Sequence, residues 1–146
     1  MFGPGNVSLL EGVFKQAEQT DLKYMLALNP DRLLAPYLRE AGLKSAVQSY
    51  ANWENTGLDG HIGGHYLTAL SLMYAAIKDV RVEQRLKYML SELKKCQDSN
   101  GNGYIGGVPG NHKLWNDLAK GNIDAGTFSL NNKWVKWQRF LRCIDR

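Results

Sequence analysis

The chain has 146 residues and a formal net charge of +4 at pH 7, from 18 Lys and Arg against 14 Asp and Glu, a length that suits one domain with a core of ordinary size. Its basic residues are scattered apart from short pairs such as Lys94-Lys95, so they make no stripe for nucleic acid, and no run of about 18 apolar residues offers a membrane span. With 15 Gly and 4 Pro the composition is close to the globular average, which excludes collagen-like and disordered chains.

The first residues, Met1 to Asn6, carry no basic start followed by an apolar stretch and do not read as a secretory leader. Leu10, Phe14, Ala17, Leu22, Met25 and Leu26 then recur at helical spacing and predict a first helix. It should stop near Asn29-Pro30, because the residue before a proline avoids helical backbone. Asn29 can cap a second helix with Pro30 at its first position. That helix reads as short and strained by Pro36, and Gly42 fits its end. Leu43 to Gly60 reads as a loop rich in Ser, Asn and Gly.

His61 to Ile77 carries apolar or small residues on nearly every side, among them Ile62, Leu67, Leu70, Leu72 and Met73, and predicts a buried helix with neighbours all round. From Arg81 to Gln97, Val82, Leu86, Met89, Leu90 and Leu93 gather on one stripe, which predicts an amphipathic outer partner. Asp98 to Gly110 is turn chemistry, with Tyr104 and Ile105 as a candidate hairpin or extended stretch. His112 to Lys120 predicts a short helix ended by Gly121. Asn122 to Trp137 reads as mostly loop, with an extended piece around Thr127 to Leu130. The fold class is mainly α, an inner and an outer layer of paired helices joined by long loops. No internal repeat survives a position-by-position comparison.

Gly101, Gly103 and Gly106 match G-x-G-x-x-G, but a helix precedes them where a dinucleotide site needs a strand, so they read as a glycine-rich turn. Asp98, Asn100 and Asn102 match the first half of a calcium loop. Its twelfth position, where a bidentate Glu belongs, is Pro109, so these residues read as turn supports. Cys96 and Cys143 make no metal-type pair and read as two free thiols, with one disulfide as the alternative.

His61 and His65 stand four apart, on one helical face. Three readings stay open: a pair of satisfied core histidines, a ligand-contacting pair in a polar cavity, or two metal ligands. For the last, Glu54, Asp59 and His112 are the candidate third ligands, none at diagnostic spacing. Trp53, Tyr66, Trp115, Trp134 and Trp137 lie among Asn, Asp and Gly, a mixture that suits a sugar's C–H faces and hydroxyls and also suits loop aromatics that plug a core. Glu54 and Asp59 could serve as an acid–base pair or brace the loop before His61.

Together, Trp53-Glu54, Gly57-Leu58-Asp59-Gly60-His61 and Gly64-His65-Tyr66-Leu67-Thr68-Ala69-Leu70 closely resemble the bacterial beta-L-arabinofuranosidases of glycoside hydrolase families 127 and 146. Val7 to Phe14, Asn29 to Leu34, Cys96-Gln97-Asp98 leading to Gly103-Tyr104, and Asn116 to Trp137 fit as well. The resemblance implies a partial alpha/alpha toroid, an incomplete six-hairpin barrel, with sugar bound at its centre. It places His65 in the sugar pocket, with His61 beside it and Trp53 and Glu54 on the loop leading in.

The family's cysteine nucleophile, its glutamate acid/base and a zinc held by cysteines and a glutamate are expected beyond the part matched, so neither cysteine takes a role and no cofactor is expected in this chain. Residues 1–137 are then the N-terminal part of a hydrolase domain, and 138–146 a divergent tail in which the family's His-Lys does not follow Trp137. The expected partner is an arabinofuranoside-containing plant glycan, with self-association through exposed apolar surface. A non-catalytic carbohydrate-binding or interaction module is the alternative, and an isomerase of the alpha/alpha-barrel type is a third reading.

Overall fold

A computed structural model describes residues 3–126, 129–131 and 133–134. Its helices are α1 (Val13–Ala27), α2 (Pro30–Glu40), α3 (His61–Ile77), α4 (Val80–Asn100) and α5 (Asn111–Ala119). Short 3-10 turns span Pro4–Asn6 and Asn52–Glu54. Two short antiparallel strands, β1 (Ser129–Leu130) and β2 (Lys133–Trp134), pair Ser129 with Trp134. The chain is mainly helical, as its periodicities predict. The hairpin sits at β1–β2 instead of at Tyr104-Ile105, where Asn102 Oδ1 accepts from the Tyr104 N–H and makes a tight turn. Phe128, Trp137, Cys143 and the tail 138–146 lie outside the described residues.

Local chemistry sets the helix ends. Asn29 caps α2 by accepting from the Asp31 N–H at 2.9 Å, with Pro30 at the first position. The far end closes at Gly42, whose φ of +71° suits glycine. There the Leu43 N–H reaches the Leu38 carbonyl and the Gly42 N–H the Arg39 carbonyl, a Schellman ending. Helix α2 runs through Pro36 to Glu40; the proline ring is fully buried against the turn at Gly107, and that packing offsets the lost N–H.

Helices α2, α3 and α4 build the core. Leu33, Leu34 and Tyr37 of α2 meet Tyr66 and Leu70 of α3 and Val82, Met89, Leu93 and Cys96 of α4, with Met25 of α1 at the margin. Each fully buried leucine here contributes roughly 1.5–3 kcal/mol. The α4 stripe is Val82, Met89, Leu93 and Cys96, while Leu90 is 52% exposed. At 3.6 residues per turn Leu90 lies about 80° round the helix from Val82, on the edge of the stripe. Helix α3 also departs from expectation: Gly63, Tyr66 and Leu70 are buried, but Ile62 and Leu72 are exposed. Its neighbours among the described residues cover one side only.

Half-buried Arg85 braces this core, donating to the carbonyls of Leu28 and Met25 and to the Tyr66 hydroxyl. The C-terminal carbonyls of α1, which no later turn can bond, thus gain a cationic donor. Tyr66 in turn donates to the Met25 carbonyl at 2.7 Å; it is a core residue and not part of a sugar platform.

Asp79 caps α4, accepting from the Arg81 N–H at 2.8 Å and pairing with the Arg81 guanidinium at 2.6 Å. That guanidinium holds its carboxyl down at about 2. A depressed carboxylate stabilises the fold above its unfolded value, about 3.9, and the contribution is lost as pH falls through about 2. Asp79→Ala should therefore cost about 1 kcal/mol at neutral pH, read as a lower urea midpoint, and the gap to wild type should close as the pH drops through that window.

Candidate functional site

One end of the bundle gathers the loops. The Tyr37 hydroxyl, late in α2, donates to the Gly60 carbonyl at 2.5 Å, just before α3. The Ser99 hydroxyl, late in α4, donates to the Ala41 carbonyl at 2.9 Å. The C-terminal ends of α2 and α4 and the N-terminal ends of α3 and α5 therefore share this end.

Here Trp53, His61 and His65 come together. The His61 imidazole stacks on the Trp53 indole with centroids 5.2 Å apart and planes 28° apart. His65, one turn along α3, meets His61 edge-on at 4.5 Å. Trp53 is 54% exposed and His65 is exposed. The three rings form an open aromatic and imidazole face, not a closed cavity, and the histidines are not core residues.

Glu54, expected beside them, turns the other way. It is 1% exposed, and its two carboxylate oxygens accept from the Gly60 N–H at 2.9 Å and the Ile62 N–H at 2.6 Å. These are among the amides that the first turn of α3 leaves unbonded, and the helix dipole favours the negative charge. Glu54 supports the platform from beneath, because Trp53 is its neighbour on the same turn. Asp59 is engaged too: 3% exposed, it pairs with Arg39 at 2.6 Å and accepts from the Gly57 N–H at 3.0 Å.

The same clamp recurs at α5. Glu40 accepts from the Gly110 N–H at 2.9 Å and the His112 N–H at 2.8 Å. Both helices start from a left-handed glycine, Gly60 or Gly110. Both turns close alike, His61 N–H to Leu58 carbonyl and Asn111 N–H to Val108 carbonyl. His112 stacks on Tyr104 as His61 does on Trp53. This local repeat escapes a comparison of side chains because only the glycines of Gly57-Leu58-Asp59-Gly60 and Gly107-Val108-Pro109-Gly110 agree.

Close packing explains the glycines. A Cβ on Gly63 would lie 2.9 Å from the Tyr37 ring and 3.0 Å from the Leu33 carbonyl oxygen. A Cβ on Gly107 would lie 2.8 Å from Pro36 and 3.0 Å from the Asp59 carbonyl oxygen. Helix α3 thus presses on α2, and the 107 turn presses on the 59–60 turn that carries His61.

The residues that the sequence reading missed are Arg39, Glu40 and Tyr37. They act on partners far along the chain, and no spacing signals them. Trp115 is half-buried, the Trp134 side chain and Trp137 are outside the described residues, and Asp98 pairs with Lys94 at the end of α4. Asn100 donates to the Tyr104 carbonyl, so these residues support the turn. Among the described residues no group of three or more His, Cys, Asp and Glu side chains is placed to hold a metal ion. Cys96 is a buried core thiol whose burial pushes its pKa up.

The family model described as beta-L-arabinofuranosidase, GH127 catalytic domain, matches residues 6–143, beyond Trp137. No curated protein matches the chain.

Proposed function

The chain belongs to the GH127 beta-L-arabinofuranosidase catalytic-domain family, and from that membership we propose that its Trp53–His61–His65 face holds an arabinofuranosyl unit of a plant glycan. The observation that supports this is the convergence of three rings on an exposed face at the start of α3. An indole offers a flat apolar surface to the C–H side of a furanose, and the exposed His65 imidazole brings ring nitrogens that can bond to its hydroxyls. Glu54 and the two glycines hold the rings in place before the sugar arrives.

Hydrolysis asks for more. A nucleophile or activated water and a proton donor must flank one glycosidic bond. The carboxylates on the loop into α3, Glu54 and Asp59, are both buried and both spent on backbone amides or Arg39. In this reading the described residues bind and orient the sugar, and Glu54 and Asp59 brace the platform and do not flank the glycosidic bond. A non-catalytic carbohydrate-binding module is the second reading, favoured by those same engaged carboxylates.

Calorimetric titration with methyl beta-L-arabinofuranoside, alongside a product-release assay on an aryl arabinofuranoside, tests the proposal. The sugar should bind without turnover, and Trp53→Ala and His65→Ala should each weaken it roughly tenfold. No binding, or full affinity in both variants, would contradict the site. A clear hydrolysis rate abolished by Glu54→Gln in folded protein would contradict the absence of catalysis.

A further inference from the structure

Beside the platform lies a recess of about 490 Å³, lined by Arg39, Leu43, Val47, Gln48, Ser49 and Asn55 among others. Its volume falls in the range of small-molecule sites, roughly 300–1,000 Å³. Asn55 ends the 3-10 turn that carries Trp53, so recess and platform share one loop. We propose that this recess is a second sugar subsite, which takes a further neutral unit of the glycan whose arabinofuranosyl unit lies on Trp53, His61 and His65. The inference rests on that reading of the platform.

The lining matches a sugar's two kinds of surface. Leu43 and Val47 supply apolar contact. The side-chain amides of Gln48 and Asn55 and the Ser49 hydroxyl bond to no other described residue. Arg39 gives one nitrogen to Asp59 and keeps half of its side chain exposed. Planar amide and guanidinium groups suit the adjacent hydroxyls of a sugar, since they offer paired donors in a fixed plane. The charge of Arg39 is already balanced by buried Asp59 at 2.6 Å, which favours a neutral unit over an acidic one.

The recess is also held open in advance. Arg32 donates to the Gln48 carbonyl at 3.3 Å and the Ser49 carbonyl at 3.4 Å, and its guanidinium lies 4.1 Å from the Tyr50 ring centroid. The Ser45 hydroxyl donates to the Val47 carbonyl at 2.6 Å. A wall fixed by residues of the fold loses little freedom when a ligand binds.

The test compares methyl beta-L-arabinofuranoside with a beta-L-arabinofuranosyl disaccharide by calorimetry on the full chain. The probes are titrated into wild type, Gln48→Ala/Asn55→Ala and His65→Ala. Gln48 and Asn55 are exposed and brace nothing, so the double variant should fold; its thermal melt checks this. Wild type should bind the disaccharide roughly tenfold more tightly than the monosaccharide, and the double variant should lose that advantage while keeping its monosaccharide affinity. His65→Ala should weaken both sugars. A disaccharide bound no more tightly than the monosaccharide, or a double variant indistinguishable from wild type, overturns the second subsite and leaves the platform standing. No binding of either sugar overturns both.

Discussion

Glu54→Ala should lose roughly 3–4 kcal/mol of stability, read from the urea midpoint of the circular dichroism signal. The change strips both acceptors from the Gly60 and Ile62 amides, groups at a buried site that costs about 1–3 kcal/mol per unsatisfied donor, and leaves a void where the side chain was. Glu54→Gln keeps the shape but sets an NH₂ against one of two N–H donors and removes the charge that the start of α3 favours. Its loss should be smaller, about 1–3 kcal/mol. Both losses should change little with added salt, because the carboxylate is 1% exposed. Variants as stable as wild type would show that Glu54 is not the clamp that holds the platform. A catalytic carboxylate behaves in the opposite way, since its removal abolishes turnover and often leaves stability untouched.

The pair Gly63→Ala and Gly64→Ala should separate sharply although the two residues adjoin. At Gly63 a methyl would meet the Tyr37 ring at 2.9 Å and the Leu33 carbonyl oxygen at 3.0 Å. The oxygen belongs to helix backbone and cannot swing aside, so α3 would have to lift from α2. Overpacking of this kind costs about 1–3 kcal/mol, and the Tyr37–Gly60 hydrogen bond would be strained with it. At Gly64 the nearest atom is the Tyr37 hydroxyl at 3.8 Å, an ordinary contact, and alanine should stabilise the helix by up to about 1 kcal/mol. Thermal melts of the two variants would show midpoints on opposite sides of wild type. Equal midpoints would mean that α2 and α3 are not pressed together at Gly63.

Much of the helical frame is legible in the sequence, because caps and stripes are local. Asn29-Pro30 marks the start of α2, Gly121 the end of α5 and Val82 to Leu93 the buried side of α4, each within a turn or two of chain. Pro36 and Leu90 show the limits. A proline reads as a breaker until the turn at Gly107 is seen packed on it, and a leucine near a stripe reads as core until its angle is taken into account. The meeting of Trp53, His61 and His65 could be anticipated from the four-residue spacing and the resemblance together. The role of Glu54 could not, since a carboxylate beside an aromatic in a polar loop looks the same whether it faces a ligand or a helix start. The links Arg39–Asp59 and Glu40–His112 span about 20 and 70 residues, and nothing in either segment names the other. The glycine block carries the resemblance, while the contact with Tyr37 that leaves no room for a side chain at Gly60 and Gly63 needed the fold.

The chain contains three histidines, so their ring resonances can be assigned and followed one by one. A titration of the full chain with methyl beta-L-arabinofuranoside, watched by NMR at the imidazole signals, therefore tests most directly whether the Trp53 face is where sugar binds. The rings of His61 and His65 should shift together and saturate along one binding curve, while His112, stacked on Tyr104, stays in place. Shifts confined to His112, or three unmoved histidines at high sugar, would contradict the account.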